Sequence, residues 1–308
     1  MSSIGTATFP ILKNCNDLWV PAPQYLSFGT LIFPKLSDSI LDAIKLTIYH
    51  FICYLLISFM NILIIGATFG IGNALAEKYS DQCENLVLLG RTEARLTQLQ
   101  KDFANKKARI LTEILDVTQE EDCQKKLTSL IEKISKLDKV IYCSGYYEPD
   151  KTFEINLKLF KKTMDINFIG LINVCSVILP LFQKQRSGHL AVVSSLAGFG
   201  GLPNSSSYGP SKAAMMNYIE SIKIDCDKFN IKTSIINPGF VKSRLTEKNT
   251  FDMPFLMSAD KAADIIVDGL KKEKYEITFP LPMKILFKIL RILPRNIYFK
   301  IVKLITKS

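Results

Sequence analysis

The sequence predicts an α/β fold in three layers: a doubly wound, mainly parallel sheet of seven strands with helices on both faces. Three observations predict it. From residue 61 onward, short apolar runs alternate with helix-length patterns, and runs that are apolar throughout suit strands covered on both faces. The first run, Asn61–Ile65, passes without a spacer into a glycine-rich turn and then a helical pattern. The length of 308 residues, 48% apolar and 22% charged, suits a large α/β domain and excludes general disorder.

In order, the expected strands are Asn61–Ile65, Leu86–Leu89, Arg109–Leu115, Lys139–Cys143, Leu190–Ser194, Lys232–Ile236 and Tyr275–Thr278. Helix-length patterns between them include Ile71–Tyr79, Glu120–Ser135, Asn156–Leu181, Ser211–Phe229 and Ala259–Leu270. A sheet of this kind binds its ligands beyond the carboxyl ends of its strands.

Composition removes other classes. The seven cysteines (Cys15, Cys53, Cys83, Cys123, Cys143, Cys175 and Cys226) are odd in number and form no CxxC pair. That argues against a disulfide framework or a zinc site and for a reducing, cytoplasmic setting. Two histidines, His50 and His189, cannot supply a His-rich metal site. The net charge of +10 is concentrated in residues 281–308, which carry seven bases and no acid and leave +3 for the rest. The basic balance therefore describes a tail and gives no reason to expect nucleic-acid binding by the body.

The turn after the first strand reads Gly66-Ala67-Thr68-Phe69-Gly70-Ile71-Gly72. Glycines let backbone approach a pyrophosphate, and the following helix offers it free N–H groups. The GxxxGxG spacing also fits a plain strand-to-helix turn. The second strand ends at Gly90-Arg91, where an NAD site would carry an acid. An arginine there can pair with a 2′-phosphate, which favours NADP(H) over NAD(H), or can simply be solvated. Tyr208 and Lys212 share YxxxK spacing, so a helix starting near Tyr208 places them on one face. A neighbouring ammonium would lower the phenol's pKa and make it a usable acid and base.

Read in chain order, GxxxGxG, Asp116 in "LDVT", Asn167, Ser195, Tyr208 with Lys212, and Asn237-Pro238-Gly239-Phe240-Val241 form one set. The set resembles the short-chain dehydrogenase/reductase family, from residue 61 to about 245 with a continuation to 280. The resemblance implies a Rossmann-type catalytic domain over 60–280 that transfers hydride between NADP(H) and a carbonyl or alcohol. It implies Tyr208 as general acid, Lys212 as holder of the nicotinamide ribose, Ser195 as orienter of the carbonyl and Asn167 as holder of a relay water. Ser194 would be structural. Gly66, Thr68, Phe69, Gly70, Ile71 and Gly72 would line the pyrophosphate, with Arg91 at the 2′-phosphate. Asp116, Val117, Ser144 and Gly145 would hold the adenosine side, and Pro238, Gly239 and Val241 would pass the nicotinamide. It implies a homodimer or homotetramer built on the long helices. Three departures stand out: Ile65 replaces the threonine before the first glycine, Tyr142-Cys143-Ser144-Gly145 replaces NNAG, and Pro210 lies inside YxxxK. A nucleotide-binding regulatory protein on the same fold is the alternative.

Phe251, Met253, Phe255, Leu256 and Met257 suggest an apolar lid for a hydrophobic substrate, or ordinary core packing. In the tail, Lys284, Lys288, Arg291 and Arg295, then Lys300, Lys303 and Lys307, recur at helical offsets opposite Ile, Leu and Phe, with Pro294 between two short helices. This reads as peripheral contact with the inner face of a membrane, or as a helix packed on the body or a partner. Residues 46–66 are uncharged and long enough for a membrane span, but their end is claimed by the first strand. The expectation is that residues 1–59 are an extension outside the domain or precede the true start at Met60, with a membrane anchor as the alternative.

Overall fold

A computed structural model describes residues 60–249 and 251–306. The expectations for residues 1–59 lie outside the described residues. Seven strands form: β1 (Asn61–Ile65), β2 (Asn85–Gly90), β3 (Arg109–Ile114), β4 (Lys139–Tyr142), β5 (Gly188–Val193), β6 (Ile231–Pro238) and β7 (Glu276–Phe279). Their order is β3-β2-β1-β4-β5-β6-β7, and every pairing is parallel. The sheet is thus wholly parallel where a mainly parallel one was expected. The reason is that each connection carries a helix that returns the chain to the same edge. These are α1 (Gly70–Tyr79), α2 (Glu93–Asp102), α3 (Glu120–Ile134), the pair α4 (Leu157–Met164) and α5 (Gly170–Gln185), α6 (Tyr208–Asp227) and α7 (Ala259–Lys271).

All five residues of β1 are buried, and alternation sends them to two cores. Leu63 and Ile65 join side chains of α3, α5 and α6. Ile62 and Ile64 join those of α1, α2 and α7. A strand with a core on each side has no wet face, which explains its unbroken apolar sequence. The chain runs one way from β1 to β3 and the other way from β4 to β7, so the switch point lies between β1 and β4.

The helix expected over Asn156–Leu181 comes in three pieces, with a π turn at Asp165–Ile169 between α4 and α5. A π turn inserts a residue and shifts the backbone hydrogen-bond ladder. Here the Tyr142 hydroxyl, fully buried at the end of β4, donates to the Ile166 carbonyl at 2.7 Å. The run Leu157–Gln185 is long and apolar enough to cross a membrane by length and composition, but half of its most apolar stretch is buried in the domain.

The tail folds as α8 (Leu281–Ile292) and α9 (Arg295–Thr306), with Pro294 between them. One expectation is corrected: α8 does not set its bases against a single apolar side. Met283, Phe287 and Leu290 are buried against the domain, while Leu281, Ile285, Ile289 and Ile292 are exposed. The helix packs with only one of its two apolar stripes.

Candidate active site

The glycine turn sits at the switch point, and two of its glycines admit no side chain. Gly66 has φ +84°, and a Cβ there would stand 2.6 Å from the Ser144 nitrogen. A Cβ on Gly72 would stand 2.1 Å from the Gly66 carbonyl oxygen. The turn is therefore packed backbone to backbone, with the N-terminus of α1 leaving from it. Thr68 is buried and packs on Gly90, where a Cβ would meet its methyl at 2.6 Å. Phe69 is the residue before α1, and the guanidinium of Arg244 lies 3.5 Å from its ring centroid.

Arg91 is exposed just beyond β2. One turn of α2 further on, Arg95 places its guanidinium 5.3 Å from the Phe69 centroid, with its Nε buried and without a partner. Sequence reasoning missed Arg95 and Arg244; the i, i+4 spacing of Arg91 and Arg95 was the available signal for the first. Asp116 lies beyond the end of β3, and its Oδ1 accepts from the Thr118 amide (3.0 Å) and hydroxyl (2.8 Å). Val117 is buried, and its carbonyl accepts from Asn173 Nδ2 at 2.9 Å.

Ser195, Tyr208 and Lys212 converge beyond the carboxyl ends of β4 and β5. Tyr208 is the first residue of α6, so Pro210 falls in the first turn, where a proline costs no helix hydrogen bond. Asp150 fixes that end of the helix. It accepts from the Ser206 amide (2.7 Å), the Ser207 amide (2.7 Å) and the Ser207 hydroxyl (2.6 Å). Ser194 holds the same helix from the sheet, its hydroxyl donating to the Lys212 carbonyl at 2.9 Å. Lys212 Nζ donates to the Val193 carbonyl at 3.0 Å and lies 5.6 Å from the Tyr208 ring centroid.

The electrostatics differ from the sequence expectation. Burial pushes the Tyr208 phenol up to about 12, against a smaller downward pull from its hydrogen bond with Ser195. Burial also holds Lys212 down, to about 8. A desolvated phenolate is costlier than a distant ammonium can offset, so the lysine does not lower the phenol in this arrangement.

Asn167 sits in the π turn, fully buried. Its Oδ1 accepts from the Tyr146 amide at 2.6 Å, and its Nδ2 donates to the Tyr146 carbonyl (3.0 Å) and Ser211 Oγ (2.8 Å). The side chain thus clamps the loop after β4 to α6. Tyr142 supports the clamp through Ile166. Tyr142→Phe leaves that buried carbonyl without its donor and should cost about 1–3 kcal/mol of stability in denaturant titration. The loss of the NNAG asparagines is answered by a tyrosine bonding in a different direction.

Ser144 and Gly145 line the loop after β4, and Gly145 lies beside Lys212 and Asn167. Gly239, just past Pro238 at the end of β6, donates its amide to the Phe279 carbonyl at 2.8 Å. Val241 is buried and bridges to Met257. Of the expected lid, Phe251, Phe255 and Leu256 are exposed rather than in the core, and Phe251 stacks edge-on against Phe240 at 5.8 Å. Tyr147 was missed: its ring meets Tyr208 edge-on at 5.0 Å and its hydroxyl donates to Asn249 Oδ1 at 2.9 Å. It ties the post-β6 loop to the candidate catalytic tyrosine.

A parallel sheet crossed at its switch point by a glycine turn, with a Ser/Tyr/Lys cluster alongside, defines the dinucleotide-binding oxidoreductase class. A sequence model described as short chain dehydrogenase matches residues 60–253, and the chain belongs to that family. It is 29% identical over 236 residues to an uncharacterized oxidoreductase of Myxococcus xanthus, covering 77% of this chain and 93% of that one. Among solved structures it resembles a short chain dehydrogenase/reductase of Burkholderia phymatum in complex with NAD (TM-score 0.69, 18% identity, 75% of this chain and 93% of that one). It also resembles ElxO with NADP bound (TM-score 0.65, 22% identity, 71% and 97% covered). At these identities the structural likeness speaks for the fold.

Proposed function

We propose that the protein is an NADP(H)-preferring reductase that transfers hydride between the cofactor and the carbonyl of an apolar substrate. The observation that carries this reading is the convergence of Ser195, Tyr208 and Lys212 beside the glycine turn. The cradle fits a dinucleotide: Gly66 and Gly72 leave no room for side chains, and the helix N-terminus faces the turn. Arg91 and the unpartnered Nε of Arg95 lie on the side where a 2′-phosphate would be held. When bound, the nicotinamide supplies the hydride.

The chain's own groups do the rest. Ser195, hydrogen-bonded to Tyr208, is placed to offer its hydroxyl to the same carbonyl oxygen. Tyr208, held protonated at neutral pH by burial, donates its phenolic proton to that oxygen, which suits the reductive direction. Lys212 stands by as the buried cation next to the ribose side, and Asn167 keeps the loop carrying Tyr146 and Tyr147 in register. The exposed phenylalanines of the post-β6 loop favour an apolar substrate.

The test is NADPH oxidation by the full chain across aliphatic and aromatic aldehydes and ketones, run in parallel with NADH. Turnover of at least one apolar carbonyl, faster with NADPH, is expected; no turnover of any with either cofactor sinks the reading. Arg91→Ala should lower kcat/KM for NADPH by roughly 10–100-fold, the worth of a charge-assisted bond, and leave NADH little changed. An equal loss with both cofactors would remove Arg91 from the phosphate site.

A further inference from the structure

We infer that α8 and α9 dock the protein on an anionic lipid surface through a second apolar stripe. The stripe is Leu281, Ile285, Ile289 and Ile292, which are 64%, 51%, 47% and 81% exposed. Offsets of four, eight and eleven residues put them on one line of the helix, opposite the buried Met283, Phe287 and Leu290. Lys284, Lys288 and Arg291 run along its flank, and α9 adds exposed Ile297 and Leu304 beside Lys300 and Lys303.

Charge selects the occupant. Two body acids reach the tail and are engaged there: Glu276 pairs with Lys288 at 3.1 Å, and Glu220 reaches Arg291 at 4.0 Å. Lys284, Lys300 and Lys303 have no ion pair among the described residues. A second copy seated tail to tail would bring seven bases against seven, with no acid in either tail. A nucleic acid would satisfy the charges and leave the isoleucines in water. An anionic bilayer offers hydrocarbon to the stripe and headgroup charge to its flank in the same plane.

The inner face of α8 gives the docking a functional sense. Phe287 meets Phe199, four residues beyond Ser195, edge-on at 6.4 Å, and Met283 Sδ would stand 2.9 Å from a Cβ on Gly239. The wall behind the candidate site and the lipid-facing line are thus opposite sides of one helix about 10 Å across. On the reductase reading, an apolar substrate would reach the site from the membrane, but the docking itself needs no turnover.

Vesicle flotation with the full chain tests it, using phosphatidylcholine with and without phosphatidylglycerol. The wild type should float with the anionic vesicles only. Ile285→Asp with Ile289→Asp should weaken that binding about tenfold or more, because both lose their apolar contact with hydrocarbon and each puts a carboxylate against anionic headgroups. Both positions are exposed, so the variant should keep its unfolding midpoint. Lys284→Glu with Lys300→Glu should weaken binding and reduce its dependence on phosphatidylglycerol. Undiminished flotation of the isoleucine variant overturns the proposal, as does a wild type that ignores anionic vesicles. So does a variant whose oligomeric mass changes while its vesicle binding does not.

Discussion

Tyr208→Phe is expected to lower kcat by about 100- to 10,000-fold, the usual worth of a positioned general acid. The phenylalanine keeps the ring and loses only the hydroxyl, so the edge-on contact with Tyr147 at 5.0 Å remains. The helix start is held by Asp150 and Ser207 through bonds that do not involve the phenol, so the backbone should not move. Cofactor affinity, read by quenching or thermal shift with NADPH, should stay within about threefold of wild type, because the glycine cradle and arginines are untouched. A variant that retains most of its turnover would move the proton donor elsewhere. Turnover separates the enzyme from a nucleotide-binding regulator on the same fold, which would bind the cofactor equally in both proteins and turn over no carbonyl in either.

Lys212→Met should abolish most activity and yet stabilise the fold. Burial holds the lysine at about 8 instead of 10.5, a displacement that corresponds to about 3 kcal/mol against the charged form. Methionine fills a similar volume without that cost, but leaves the Val193 carbonyl without its 3.0 Å donor, a loss of about 1 kcal/mol. The net expectation is a gain of roughly 2 kcal/mol at pH 7, seen as a higher denaturation midpoint. Below pH 8 the lysine is charged in both folded and unfolded chains, so the gain is complete. As pH rises from 8 to 10.5 the folded lysine is neutral while the unfolded one still binds a proton, and the advantage of methionine fades. Buried cysteines and tyrosines away from Lys212 titrate alkaline too and cancel in the difference. Cys143, whose thiol Lys212 pulls down against burial, is the exception, so the comparison is read at pH 7, where that thiol stays protonated in both proteins. A variant less stable than wild type at pH 7 would show that the buried cation is better compensated than its surroundings imply.

The two predictions together describe a site that is costly to keep. A buried cation and a half-buried phenol stand within one turn of a helix, and desolvation shifts both toward their neutral forms. Such a pair gains nothing for stability, which is an argument that it is kept for chemistry. Asn167 belongs to the same economy of position: a buried amide making three bonds inside a π turn fixes a loop that carries two tyrosines.

Much of this was legible in order along the chain. Strand positions followed from runs apolar on both faces, and the strand edges were right to within about two residues because side-chain burial, not propensity, sets them. The glycine turn was legible because glycine alone tolerates φ +84° and backbone contact at Gly66. Asp150, Tyr147, Arg95 and Arg244 were not. Each acts on a residue distant in sequence, or through a face set by how α2 and the post-β6 loop settle, and no local period marks that.

The sequence by itself determined the sheet, its helical crossovers, the glycine turn and the Ser/Tyr/Lys set. These are encoded by residue type and spacing at short range. Tertiary structure alone decided the direction of the Tyr208 and Lys212 shifts, because desolvation depends on what packs around a group and not on which residue is four positions away. It alone decided that the Asn167 amide turns inward to Tyr146 and Ser211. It alone decided which stripe of the basic tail is spent against the domain and which is left outward, since a helix with two apolar stripes reads the same in sequence whichever one the core takes.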